Sequence, residues 1–167
     1  MSARAGTIAQ VSTSPGGVPK LPVFQAFISF AGLEGDWQED RRHHGGPDRA
    51  VCLFSLDLMR ALNAEGHPIA PGTAGENLTI EGLDWTLLVP GAVLDAGAAQ
   101  LEVTSYAAPC RTIRRSFRDE NSNRISQKLH AGESRIYTRV LREGVVRPGD
   151  QVTPLRRQDE IGNNISR

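Results

Sequence analysis

The sequence has no uninterrupted apolar run approaching the roughly 18 residues that a membrane-spanning helix needs, so no membrane span is expected. It has no net charge, with 19 basic and 19 acidic side chains. That balance gives no reason to expect a nucleic acid or a membrane surface as partner. Cysteine is scarce: Cys52 and Cys110 are the only two, with neither CxxC nor zinc-finger spacing. A disulfide framework is therefore not expected, and each cysteine needs its own explanation. The start of the chain lacks the charged-then-apolar pattern of a secretory leader, so a cytoplasmic location is the expectation. Internal repeats and low-complexity blocks are also missing.

Turn-forming residues are abundant. There are 17 glycines and 10 prolines, together well above the usual share of about 12%. Such a chain turns often, which favours short strands over long helices. Gly6–Thr13 reads as a first strand, Val23–Ser29 as a second and Val51–Phe54 as a buried third. Ser55 has the chemistry of a helix N-cap before Leu56–Glu65, whose Leu58, Met59 and Leu62 share a face and which Gly66 and Pro68 end. Gly75–Ile80, Gly91–Leu94, Gln100–Ser105, Arg135–Leu141 and Gln151–Leu155 read as further strands. Cys110–Arg118 and Ile125–His130 read as short helical pieces. About eight short strands with two or three small helices predict a mainly β domain with small helices (α+β), arranged as a closed or partly closed β-barrel. Strands and helices do not alternate regularly, which disfavours a doubly wound sheet. One domain is expected over residues 1–155, with a polar tail over 156–167.

Three segments carry chemistry. The first is the polar, glycine-punctuated stretch 35–51. Gly45 and Gly46 let backbone approach a ligand, their N–H groups suit an anion, and Arg42 and Arg49 add charge-assisted bonds to phosphate or carboxylate. The alternative is a surface loop whose acids pair with its arginines. His43 and His44 are adjacent, so on extended backbone at most one faces a site. The second segment is Pro109-Cys110-Arg111-Thr112-Ile113-Arg114-Arg115, where a strand ends and a helix is expected to begin. A cysteine at a helix N-terminus beside guanidinium groups favours its thiolate, which serves as nucleophile, persulfide carrier or soft metal ligand. The alternative is a packed, inert cysteine, which is the better reading for Cys52 in its apolar strand. Arg111 and Arg114 lie three apart and are expected to share a helix face toward an anion, while Arg118 faces solvent. In the third segment, residues 72–79, Asn77 either hydrogen-bonds a heteroaromatic ligand or closes a turn.

Taken in order, GDWQEDRRHHGGPDRAV at 35–51, GTAGENLTIEGLDW at 72–85, PGAVLDAGAAQLEVT at 90–104, PC at 109–110 and VLREGVVRPGDQV at 140–152 resemble the MOSC family, named for the C-terminal domain of molybdenum-cofactor sulfurase. The chain looks like a single-domain, bacterial-type member. The resemblance implies a MOSC-type β-barrel and either a cofactor enzyme or a sulfur-handling domain. In the amidoxime-reducing branch the late cysteine binds the molybdenum of a pyranopterin cofactor, which here is Cys110. The HGGP stretch maps to His44, Gly45, Gly46 and Pro47, lining the same pocket. The leading expectation is a molybdenum-cofactor oxidoreductase that reduces N-hydroxylated nitrogen compounds with electrons from an external electron-transfer protein. The alternatives are a sulfur carrier using a Cys110 persulfide between a sulfur donor and acceptor, and a non-enzymatic cofactor-binding module. Physically, arginines and a glycine nest suit the cofactor's phosphate, and Asn77 suits its heterocycle.

Overall fold

The structure is a computed structural model and describes residues 3–37 and 46–155; the expected tail, 156–167, lies outside them. Seven strands close a barrel: β1 (Gly6–Thr13), β5 (Val51–Ser55), β6 (Leu78–Glu81), β7 (Val93–Ala96), β8 (Ala99–Tyr106), β9 (Ile136–Arg142) and β11 (Gln151–Leu155). They run in the order β11-β7-β8-β9-β5-β6-β1, and β1 returns to β11 to complete the ring. β1 closes it by changing partners along its length. Gly6 pairs with Val152 of β11, Ile8 with Ile80 of β6, and Val11 with Val23 of the short outer strand β2 (Leu21–Val23). A register shift between Ile8 and Gln10 bends the strand between these partners. Closure removes the free edges that an open sheet would leave to other chains.

The barrel is filled by alternating apolar side chains. Ile8, Leu53, Leu78, Ile80, Leu94, Leu101 and Ile136 are essentially inaccessible to solvent. Among the described strands the one parallel pair is β5–β6, connected through α1 (Leu56–Ala64). Ser55 caps that helix as its sequence suggests, its hydroxyl accepting the Leu58 N–H at 3.1 Å. Met59 and Leu62 are buried, and the chain turns away through Gly66 at φ 97°. A second sheet of three short strands, β10 (Gly144–Val146), β3 (Ala26–Ser29) and β4 (Gly32–Leu33), packs beside the barrel. Among the described residues no helix is long and apolar enough to cross a membrane.

Several expectations shift. The single strand expected over Val23–Ser29 is two, β2 and β3, serving different sheets; the link between them leaves Phe24 82% exposed. The strand expected from Gly75 starts at Leu78, because Gly72 and Gly75 hold positive φ and the chain is still turning there. With that split, the unanticipated β4 and β10 take the count from about eight strands to eleven among the described residues. After Cys110 the chain forms a six-residue 3-10 helix, Arg111–Ser116, in place of an α-helix to Arg118. The piece expected over Ile125–His130 is a 3-10 turn at Ser122–Ile125.

Candidate functional site

The site is built where β8 ends and β9 begins. Beyond Tyr106 the chain stays beside β9 for one more bond, Ala107 N–H to the Arg135 carbonyl at 2.9 Å, and Pro109 then carries it away. Cys110 follows in extended backbone as the first flanking residue of the 3-10 helix. Its side chain is half-buried, its Sγ lies 2.7 Å from the Thr112 hydroxyl, and its carbonyl accepts a hydrogen bond from Ser122. The expected α-helix dipole is not available to this thiol. Six residues of 3-10 helix align few peptide dipoles, so electrostatic support must come from side chains.

Those side chains gather around Tyr137. The residue pairs with Cys52 of β5 and Ser105 of β8 across the sheet. It is 6% exposed and forms a small apolar cluster with Cys52 and Ala107. The Arg49 guanidinium lies over its ring, 5.5 Å from the centroid. Burial pushes the Tyr137 phenol up to about 12; nearby Cys52 and Cys110 push the same way, against Arg135 and Arg49. Residues distant in sequence are brought to one place by the β5–β9–β8 pairing.

Arg49 is held by its own short 3-10 helix, Pro47–Arg49. Ala50 N–H bonds the Thr138 carbonyl at 3.0 Å, the Thr104 hydroxyl donates to the Asp48 carbonyl, and Arg139 pairs with the Asp48 carboxylate at 3.1 Å. Gly46, just before it, is exposed at φ 86°, and the space a Cβ would occupy is open. A cleft of about 520 Å³ runs from Phe30 and Leu33 past Asp36 and Trp37 to Gly46 and Arg49. A cleft of that volume holds a cofactor-sized molecule.

The MOSC domain family model matches residues 40–153, the greater part of the sequence. The chain belongs to the MOSC family. It is 30% identical over 146 residues to the uncharacterized protein YflK of Bacillus subtilis, covering 86% of this chain and 65% of YflK. It is 30% identical over 108 residues to the protein YiiM of Escherichia coli, covering 62% of this chain and 48% of YiiM. The chain thus spans less than two thirds of YflK and about half of YiiM. The crystal structure of YiiM from Geobacillus stearothermophilus superposes with a TM-score of 0.71 at 24% identity, over 91% of this chain and 76% of that one. The MOSC-type barrel expected from the sequence is the fold observed.

Within this MOSC domain the anticipated site residues have separate fates. Arg49 lies over the Tyr137 ring, and Cys110 follows three residues after Ala107, which packs in the Tyr137 cluster. Arg42, His43, His44 and Gly45 lie outside the described residues. Arg111 is exposed; Arg114 is half-buried and folds back to the Arg111 carbonyl at 3.1 Å, as eclipsed i, i+3 positions of a 3-10 turn allow. Arg118 is exposed as expected. Asn77 requires correction. It is fully buried, its Oδ1 accepts the Cys52 N–H at 3.0 Å, and its Nδ2 donates to the Ser12 carbonyl and the Asp36 carboxylate. With oxygen and both amide hydrogens committed, Asn77 ties β1 to β5 and has no donor left for a heterocycle.

A buried polar layer was missed altogether. The Lys20 ammonium meets Asp36 at 2.6 Å, with both side chains buried. Glu76 is fully buried; burial pushes its carboxyl up to about 7, although the N–H groups of Glu76 and Gly72 and the Thr79 hydroxyl oppose the shift. Arg135 is 3% exposed. Cys52, pushed up to about 11 by burial, stays a thiol and packs as the sequence suggests. The glycine-framed Gly72–Gly75 turn was the available signal for Glu76. Nothing in the local pattern marked Arg135 or Tyr137.

Proposed function

We propose that this MOSC protein binds a molybdenum pyranopterin cofactor at the Cys110 face and reduces N-hydroxylated nitrogen compounds. The observation that carries the reading is that Arg49 lies over the Tyr137 ring, that Ala107, on the strand exit leading to the half-buried Cys110, packs in the same cluster, and that the buried Arg135 grips that exit at the Ala108 carbonyl. The donor set fits such a group. A thiol is a soft ligand suited to the metal, planar guanidinium groups suit a phosphate, and the open backbone at Gly46 admits close approach. Cys110 would hold the metal, and Arg49 with Arg111 and Arg114 would hold the anionic end. When bound, the cofactor supplies two-electron redox chemistry, for which this chain has no residue of its own. Tyr137 remains protonated at neutral pH. Cys52, kept as a thiol beneath it, leaves Cys110 as the soft donor. The overall change consumes two electrons and two protons, converts N–OH to N–H and releases water. An external electron-transfer protein supplies the electrons.

The test is purification of the full chain from a host with an intact cofactor pathway, followed by metal and pterin analysis. Molybdenum near one per chain, lost in Cys110→Ser while the fold persists, is the expected result. Persulfide mass on Cys110 without metal replaces this reading with the sulfur carrier. Stoichiometric cofactor without turnover of any N-hydroxylated compound replaces it with a binding module.

A further inference from the structure

Arg135 precedes β9 and is a buried cation of unusual circumstances. Its Nη1 donates to the Ala74 carbonyl at 2.8 Å and its Nη2 to the Ala108 carbonyl at 3.0 Å. Its Nε is buried without a hydrogen-bond partner. Among the described residues it has no ion pair. Glu76 is the acid within its electrostatic reach, but that carboxylate already receives the Gly72 N–H and the Thr79 hydroxyl. A guanidinium stays charged in a protein, and a buried cation left without a counter-charge is costly. The Ala108 carbonyl it grips lies two residues before Cys110. At about 3.8 Å per residue step, the Cys110 backbone lies within about 8 Å of Ala108. Tyr137 senses the charges of both Arg135 and Cys110.

We propose that Arg135 is a positioning residue for Cys110: its fork of donors pins the strand exit that presents the thiol, and its charge sets a positive potential there that favours anionic reagents and ligands at the sulfur. The inference rests on the reading above only in taking Cys110 as the chemical centre. It needs no molybdenum.

The experiment compares alkylation of Cys110 in the metal-free full chain by neutral iodoacetamide and by anionic iodoacetate, quantified on the Cys110 peptide by mass spectrometry. The ratio of the two rate constants reads local potential, whereas a merely structural change moves both rates alike. In Arg135→Gln the iodoacetate/iodoacetamide ratio is expected to fall about threefold or more, and in Arg135→Lys to stay within about twofold of wild type. An unchanged ratio in Arg135→Gln overturns the proposal. Should that variant not fold, wild type decides. The ratio should hold between low salt and 1 M NaCl, at which exposed charges are screened over roughly 3 Å. A ratio that collapses to that of a free thiol in high salt assigns the potential to the exposed Arg111 and Arg115 and overturns the proposal. A Cys110 that neither reagent modifies also overturns it. Because the ratio is measured without metal, absence of molybdenum from the purified protein would sink the cofactor reading and leave this one standing.

Discussion

Replacing Asn77 separates a structural tie from a ligand contact. The side chain bridges three elements: its oxygen accepts the Cys52 N–H, and its amide donates to the Ser12 carbonyl and to Asp36, itself paired with Lys20. The Asn77 backbone adds two bonds, its N–H to the Cys52 carbonyl and its carbonyl from the Ser12 N–H, both 2.8 Å. Asn77→Ala leaves the Cys52 N–H buried and unmet, at a cost of about 1–3 kcal/mol, and loses a hydrogen bond to a carboxylate, about another 1.5 kcal/mol. A net loss of about 2.5–4.5 kcal/mol follows, or roughly 5–18 °C in Tm at about 2–4 °C per kcal/mol for a chain of this size. Asn77→Asp keeps the shape and the Cys52 bond but sets a carboxylate against Asp36. Repulsion raises the pKa of the new acid in the folded state, so relative to wild type, which shares the Glu76 titration, this variant is expected to regain stability as pH falls from 7 toward 5, whereas the deficit of Asn77→Ala stays constant. Urea unfolding at both pH values, followed by tryptophan fluorescence, measures each effect. A loss under about 1 kcal/mol in Asn77→Ala would refute the tie. Preserved stability with lost cofactor would return Asn77 to the ligand site.

Three further outcomes follow from the same buried layer. The folded-state carboxyl of Glu76 is raised to about 7, so its contribution is fully present below about pH 4.5 and is lost as pH rises through 7. At about 1.4 kcal/mol per unit, wild-type stability should fall relative to Glu76→Gln by about 3 kcal/mol over that window, and a pH-independent difference in urea midpoints would contradict the assignment. Native-state labelling at pH 8 should modify Cys110 and spare Cys52, which is 3% exposed and pushed up to about 11; mass spectrometry of the two peptides decides. Gly72 and Gly46 both hold positive φ, but a Cβ on Gly72 would sit 2.1 Å from the Lys20 carbonyl oxygen, whereas one on Gly46 meets open space. Thermal melts should show Gly46→Ala, at φ 86° and ψ 172°, costing about 1–3 kcal/mol of backbone strain, and Gly72→Ala clearly more.

What the sequence discloses and what it withholds divide along the range of the interactions. β1 and the Ser55-capped α1 are legible because alternation and capping act within a few residues. The split of Val23–Ser29 is not, because Val23 answers to Val11 while Phe27 answers to Val145. Cys110 is legible as chemistry from its Pro-Cys-Arg setting, but the local helix expected to activate it is a 3-10 turn. The hidden part of the site lies in β9. Its alternation of Ile136, Thr138 and Val140 marks one buried face, which leaves Arg135, Tyr137 and Arg139 on the other. Only Arg139 is exposed. The other two are covered by chain arriving from elsewhere, Arg49 over the Tyr137 ring and the Ala107–Cys110 exit beside Arg135. A period-two pattern identifies one face of a strand and carries no information about what lies on the other. In a closed barrel the inner face is committed to packing, so a site beside the wall must be assembled on the outer face by such crossing segments. An aromatic or arginine at an outward position of the strand that pairs with the cysteine-bearing edge is therefore a site candidate; Tyr137 meets that description from the strand register, and Arg135 from the backbone bond its carbonyl accepts from Ala107 just before β9.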